Sequence, residues 1–201
     1  MENKEYPKNT ELSSDDIPVF IIAGPTGCGK STIGKAISTQ FHFAFIEGDD
    51  LHPPRNIAKM SSGMPLIDDD RWDWLDNVIS TAQLEESEHH SSGIVVTCSS
   101  LRPSYRDRIR KRVEEGRRRG SQLREYFMFC HLSEAESVRR VQQRPGHFLK
   151  ADMVASQFAD LEPPDPEVEP RVYVLNVEKS ITEVKKEAIN HVRSFLDGAG
   201  A

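Results

Sequence analysis

The sequence predicts a three-layer α/β fold on a five-stranded parallel sheet, and three observations carry that expectation. Five short apolar runs alternate along the chain with longer segments of helical period, the pattern of a sheet covered on both faces. Most of those runs are continuously apolar, as strands buried on both sides are. The first run ends in a glycine-rich segment that opens directly into a helix. With 201 residues, 37% hydrophobic and 29% charged, the chain has the length of one domain of roughly 100–200 residues.

Taken in order, residues 1–16 are polar and lack apolar period, so they read as a flexible tail before a single domain over 17–201. Strands are expected at Val19–Ala23, His42–Ile46, Ile94–Cys98, Glu125–Leu132 and Arg171–Val177. Helices are expected at Lys30–Gln40, Asp70–Glu86, Pro103–Arg119, Glu134–Arg144, Lys150–Asp160 and Ile181–Leu196. Ser133 with Glu136 three residues on predicts a capping box at the start of the fourth. Glu162–Pro170 holds four prolines in nine residues and reads as a stiff connection inside the domain.

Composition excludes several classes. A formal net charge of −6 speaks against a dedicated nucleic-acid binder. No apolar run reaches the ~18 residues of a membrane span. Met1-Glu2-Asn3-Lys4 before Val19–Ala23 makes a poor secretory signal. Cys28, Cys98 and Cys130 form neither a CxxC pair nor a disulfide framework, which fits a reducing compartment. A soluble cytoplasmic protein without membrane or nucleic-acid partners is the expectation.

The sharpest signal is Gly24-Pro25-Thr26-Gly27-Cys28-Gly29-Lys30-Ser31, a G-x-x-x-x-G-K-S between an apolar strand and a helix. Gly24, Gly27 and Gly29 permit the tight turn and let backbone N–H groups converge on phosphate oxygens. The following helix N-terminus adds partial positive charge there. Lys30 can reach the β- and γ-phosphates of ATP, the Ser31 hydroxyl can ligate Mg²⁺, and Thr32 can meet the α-phosphate. Cys28 reads as a loop spacer. The bland alternative, a glycine-rich turn followed by a chance Lys-Ser, would not need both flanks to be right.

The second strand runs into Glu47-Gly48-Asp49-Asp50-Leu51-His52. Ligands sit at the carboxyl ends of parallel strands, so these acids fall beside the phosphate loop. Asp49 is placed to orient an acceptor hydroxyl and take its proton, with Glu47 as an outer-sphere partner of Mg²⁺. On position alone, capping of the next segment by Asp49 and Asp50 is an equal reading.

Here the residues resemble a known family. GPTGCGKS, FIEGDDLHPPRNIAKMSSGMPLIDDDRWDWL, VVTCSSLRPSYRDRIR and RPGHFLKADMVASQF are similar to the gluconokinases of the P-loop kinase group, from about Val19 to Val177. The resemblance implies ATP-dependent phosphorylation of D-gluconate to 6-phospho-D-gluconate with Mg²⁺, feeding the pentose phosphate pathway. It also implies a helical substrate-binding insertion at about 50–90, a lid at about 140–160 and, since relatives often dimerise, a homodimer. A polyol carboxylate needs hydroxyl partners and a cation. Asp49 and His52 suit the hydroxyls, while Arg55, Lys59 and Arg71 suit the carboxylate or developing charge. Arg71 closes the run Asp68-Asp69-Asp70-Arg71, whose acids also suit a helix start. Of Trp72 and Trp74, one lines the pocket and the other packs.

The third strand ends in Thr97-Cys98-Ser99-Ser100-Leu101 without the acidic residue that often holds the Mg²⁺ shell, which shifts weight to Ser31 and the Glu47/Asp49 pair. Ser99 can contact substrate, and Arg102 and Arg106 can add charge to the pocket. Arg140 and Arg144 share a helical face before Pro145-Gly146-His147-Phe148, the expected base of a lid that brings arginines to the transferring phosphoryl group. His147 is expected near the acceptor. Arg102–Arg119 carries nine Lys or Arg against three acids and reads as a solvated helix face. Cys98 and Cys130 read as core residues. Two rival functions stay open: another small-molecule kinase, for shikimate or nucleoside monophosphates, and an RNA-associated nucleotide switch using Arg117–Arg119.

Overall fold

The computed structural model describes residues 13, 15–143 and 150–198. Five strands, β1 (Ile17–Ala23), β2 (Ala44–Glu47), β3 (Ile94–Thr97), β4 (Leu123–His131) and β5 (Val172–Asn176), form one sheet. All neighbouring pairs are parallel, in the order β2-β3-β1-β4-β5. The helices are α1 (Lys30–Phe41), α2 (Pro54–Ser61), α3 (Asp68–His89), α4 (Pro103–Arg117), α5 (Glu134–Gln142), α6 (Lys150–Ala159) and α7 (Ile181–Gly198). The α/β fold with a five-stranded parallel sheet is as the sequence predicts.

Alternation along β1 builds the layers. Phe20 and Ile22 point to one face and pack with Ile33 and Ile37 of α1 and with Val184, Ala188 and Val192 of α7. Val19, Ile21 and Ala23 point to the other face. They join Trp74, Leu75, Val78 and Ile79 of α3 and Tyr105, Ile109 and Val113 of α4. Each face thereby removes a continuous apolar surface from water, at ~25 cal/mol per Å².

Two elements between β2 and α3 depart from the sequence reading. A single 3-10 turn covers Gly48–Leu51 and α2 begins at Pro54, behind Pro53. Proline at the first helical position lacks only a donor that would have no partner there, so the prolines open α2 instead of excluding it. From Trp74 onward α3 belongs to the core layer, so the inserted part of the 50–90 region is its first half. At α5 the Ser133 hydroxyl accepts the Glu136 N–H at 3.4 Å. The reciprocal half of the expected capping box is absent, because the Ser133 N–H goes to Glu178 at 2.8 Å while Glu136 is taken by Arg139 and Arg140.

The proline-rich connection is pinned from below. Arg106 is fully buried and grips Glu169 through Nε at 2.8 Å and Nη2 at 2.5 Å, and it also donates to the carbonyls of Ser100 and Glu162. Arg110 adds a contact to Glu169 at 3.1 Å. The expectation that Arg106 charges the pocket is therefore corrected: its fork is fully occupied in the interior. Arg117 is likewise spent, on Asp16 and the carbonyls of Gln122 and Leu123.

Burial alone would raise the Glu169 carboxyl, but Arg106 and Arg110 hold it below the ordinary glutamate value. A depressed carboxyl contributes stability above the unfolded-state value, and that contribution fades as pH falls through the folded one. Glu169→Ala should cost about 3–5 kcal/mol near neutrality by stranding the guanidinium groups. In urea unfolding at about pH 7 and about pH 3, the deficit should shrink in acid. An equal deficit at both pH values would contradict the assignment.

Candidate active site

The phosphate loop leaves the carboxyl end of β1. Gly24 has φ +127°, and a Cβ there would stand 2.6 Å from the Cys130 carbonyl oxygen, so no other residue fits this turn. Its N–H donates to the Ser99 carbonyl at 3.0 Å, tying the loop to the end of β3. The Thr26 N–H donates to Gln157 Oε1 of α6 at 2.7 Å, and the Ser137 hydroxyl of α5 donates to the Thr26 carbonyl at 2.7 Å. Val141 and the Ser137 carbonyl back the loop at Gly27.

Gly29 precedes α1 and supplies no side-chain cap, so first-turn donors face outward for an anion, with Ser31 and Thr32 in that same turn. Lys30 Nζ donates to the Gly24 and Pro25 carbonyls, each at 3.1 Å. Burial would lower its pKa, but the charges of Cys28 and Asp49 more than compensate and the ammonium stays protonated. Cys28 is buried against Cys130. Burial pushes its thiol up, and the Cys130 hydrogen bond and the Lys30 charge pull it below the ordinary value.

The acceptor side leaves β2, which lies beside β3 in register, Glu47 opposite Thr97. Gly48 N–H donates to Thr97 Oγ1 at 3.0 Å, and the Thr97 hydroxyl donates in turn to Glu47 Oε1. A Cβ on Gly48 would fall 1.9 Å from the Thr97 carbonyl oxygen. Trp74 closes the turn from α3, its indole N–H donating to the Gly48 carbonyl at 2.7 Å. Asp49 is exposed, yet its charge acts on both Lys30 and His52. His52 is buried and stacks on Trp74 with centroids 4.3 Å apart and planes at 13°. Burial lowers its pKa to about 4, Arg71 reinforces the shift and Asp49 opposes it.

The cations sit in different settings. Arg71 is buried, donates to the Leu66 carbonyl at 3.3 Å, lies over the Tyr105 ring and approaches Asp160 at 3.9 Å. Its Nε is buried without a hydrogen-bond partner. Lys59 holds Asp70 at 2.6 and 2.7 Å, while Arg55 is exposed and paired with Asp73 at 2.5 Å. Arg102 links Asp160 at the end of α6 to Asp68. Arg140 donates to Glu136 and to the Val177 carbonyl, both at 2.6 Å, and its charge is felt by Cys28 in the loop. Ser99 is buried and holds Gly24 through its carbonyl. Arg144 and His147 lie outside the described residues.

Comparison with known proteins fits this arrangement. No family model matches the chain. A probable gluconokinase of Schizosaccharomyces pombe is 41% identical over 179 residues, 89% of this chain and 90% of the relative. One from Saccharomyces cerevisiae is 42% identical over 184 residues, covering 88% and 91%. The crystal structure of a gluconokinase from Sinorhizobium meliloti superposes with TM-score 0.71 at 37% identity, over 90% of this chain and 94% of that one. The chain belongs to the gluconokinase family.

For this gluconokinase-family chain the Mg²⁺ of a Mg–ATP substrate would meet an oxygen donor set. The Ser31 hydroxyl and the Glu47 and Asp49 carboxylates are hard ligands of the kind that cation takes alongside phosphates and water. Among the described residues no group of three or more His, Cys, Asp or Glu could hold a metal by itself. Glu47 of β2 lies opposite Thr97 at the end of β3, because the two strands are neighbours. Sequence reasoning gave no role to Thr97, Ser137 or Gln157. They act through contacts 49 to 131 residues apart, which no local spacing announces.

Gly48→Ala tests the acceptor turn. The added methyl cannot share space with the Thr97 carbonyl, so the turn must move while the loop, held by Ser99, Gln157 and Ser137, stays. Turnover should fall about 10²-fold, the scale of a 1 Å misplacement. Titration with a fluorescent ATP analogue should show nearly parental affinity; equal loss of affinity and turnover would contradict the separation.

Proposed function

We propose that the protein transfers the γ-phosphoryl group of ATP to the 6-hydroxyl of D-gluconate, yielding 6-phospho-D-gluconate and ADP. Family membership supports ATP-dependent sugar kinase activity, and the substrate follows from relatives described as gluconokinases. One observation carries the mechanism: Thr97 Oγ1 takes the Gly48 N–H of the acceptor turn while the Ser99 carbonyl takes the Gly24 N–H of the phosphate loop, which sets Asp49 where its charge acts on both Lys30 and His52. Donor and acceptor residues thus share a single electrostatic site at the carboxyl edge of the sheet.

Lys30 and the first-turn N–H groups of α1 bind the β- and γ-phosphates and stabilise charge on the equatorial oxygens. Asp49 orients the 6-hydroxyl, which attacks in line. The O6–Pγ bond forms as the bond to the bridging oxygen breaks, ADP leaves with that electron pair, and the hydroxyl proton passes to Asp49. Arg71, buried and with a free Nε, receives the carboxylate at the far end of the acceptor. Arg140 reaches the phosphoryl group by exchanging its Val177 contact for it. Ser31, with Glu47 behind it, would hold a Mg²⁺ ion, which would supply neutralisation of the phosphate charge.

A coupled ADP-release assay over gluconate, shikimate, nucleoside monophosphates and adenylylsulfate tests the acceptor, with turnover expected on gluconate. Turnover on another member and none on gluconate would overturn the proposal. Asp49→Asn should keep ATP binding and lose about 10²–10⁴-fold in kcat. A near-parental rate would remove Asp49 as the proton acceptor.

A further inference from the structure

We infer that Asn56 is a positioning residue that holds the His52 imidazole in its Nε2–H tautomer, so that His52 offers the acceptor substrate a neutral hydrogen-bond donor. The part assigned to the substrate rests on the gluconate reading above; the tautomer rests on geometry alone.

Asn56 is fully buried in α2. Its side chain meets the Asp70 carbonyl oxygen at 2.6 Å, and a carbonyl only accepts, so the atom there is the amide nitrogen Nδ2. The same nitrogen stands 3.4 Å from His52 Nδ1. With one hydrogen spent on Asp70, the other faces Nδ1, which must present its lone pair. The ring proton is then on Nε2. Flipping the amide would set two carbonyl oxygens 2.6 Å apart, so the Asp70 contact fixes which amide atom faces the ring. Trp74 fixes the ring plane by stacking, and is itself fixed by its bond to Gly48. Trp74 therefore sets the plane of the imidazole and Asn56 sets its proton.

The surroundings keep the ring neutral. Asp49 faces it from the 3-10 turn, Arg55 and Lys59 come from α2, and Asp70 and Arg71 come from α3. Lys59 neutralises Asp70 and Asp73 neutralises Arg55, which leaves Asp49 and Arg71 to oppose each other. Burial then decides, and the imidazole is uncharged near neutral pH. A ring whose Nδ1 lone pair is occupied and whose Nε2 bears a proton cannot serve as a base. Proton acceptance falls to Asp49 alone, and His52 reads a hydroxyl oxygen.

The test uses the full chain labelled with ¹⁵N-histidine, observed by two-bond ¹H–¹⁵N spectra from about pH 5.5 to about pH 8, the range in which an ordinary histidine titrates. His52 is assigned by the signals lost in His52→Gln. The expected spectrum has a proton on Nε2, a bare Nδ1 and no titration, with a nuclear Overhauser contact from the Asn56 amide protons to the ring. Asn56→Asp places a carboxylate beside Nδ1, so the ring should gain a proton there and begin to titrate, and kcat should fall on the acid side with the same midpoint. Asn56→Ala should raise KM for gluconate about tenfold, the worth of one hydrogen bond, with KM for ATP unchanged. An Nδ1–H ring, or a titrating one, in the parent protein would overturn the inference, as would a missing Overhauser contact or a His52 spectrum unchanged in Asn56→Asp. The parent spectrum and the Overhauser contact decide the matter even where a variant does not fold. A protein inactive on gluconate but with the Nε2–H ring would sink the acceptor reading and leave the tautomer standing.

Discussion

The end of β3 is the point on which the site depends, because four consecutive residues there hold both halves of it. Thr97 takes the Gly48 N–H and gives its own proton to Glu47, which fixes the acceptor turn. Cys98 N–H bonds the Ile22 carbonyl in β1, and the Ser99 carbonyl receives the Gly24 N–H of the phosphate loop. Ser100 adopts φ 42° and is held through its carbonyl by the buried Arg106. A left-handed non-glycine residue persists where its surroundings over-determine it. The buried Arg106–Glu169 pair provides that constraint, and the Arg106 contact with the Glu162 carbonyl ties in the connection after α6.

Electrostatics then divide the work. Lys30 remains a cation despite burial because Cys28 and Asp49 stand near it. His52 becomes neutral because it is packed on Trp74 beside Arg71. On the proposed reading the two groups, separated by three positions in sequence, take opposite chemistry: an exposed carboxylate that accepts a proton and a buried ring that donates a hydrogen bond. The net charge of −6 says nothing of this. For the proposed anionic nucleotide and acceptor, what matters is that α1, α3 and α5 carry Lys30, Arg71 and Arg140.

Much of this was legible in the chain. The phosphate loop is contiguous, and its strand and helix flanks carry their own apolar period, so both position and role could be read. The acids after β2 could be placed by the rule that ligands gather at the carboxyl ends of parallel strands. Residues whose work is done through long-range contacts could not. Arg106 has the spacing of a pocket cation, but only the folded chain shows Glu169, 63 residues on, closing around it. Asn56 sits in a proline-led segment, and its meaning comes from two partners on different elements. Glu47 could be singled out from its place after β2, but its position opposite Thr97 could not, because strand order is not written in the order of the sequence.

The central claim is that the acceptor lies with its carboxylate toward Arg71 and its terminal hydroxyl against Asp49, beneath the γ-phosphate. Phosphorus NMR of a reaction mixture of protein, Mg–ATP and D-gluconate reports that orientation directly. The account predicts one new phosphomonoester resonance, split into a triplet by the two protons on C6 and growing in step with ADP. A doublet from an inner hydroxyl, or an acyl phosphate with no proton splitting, would contradict it.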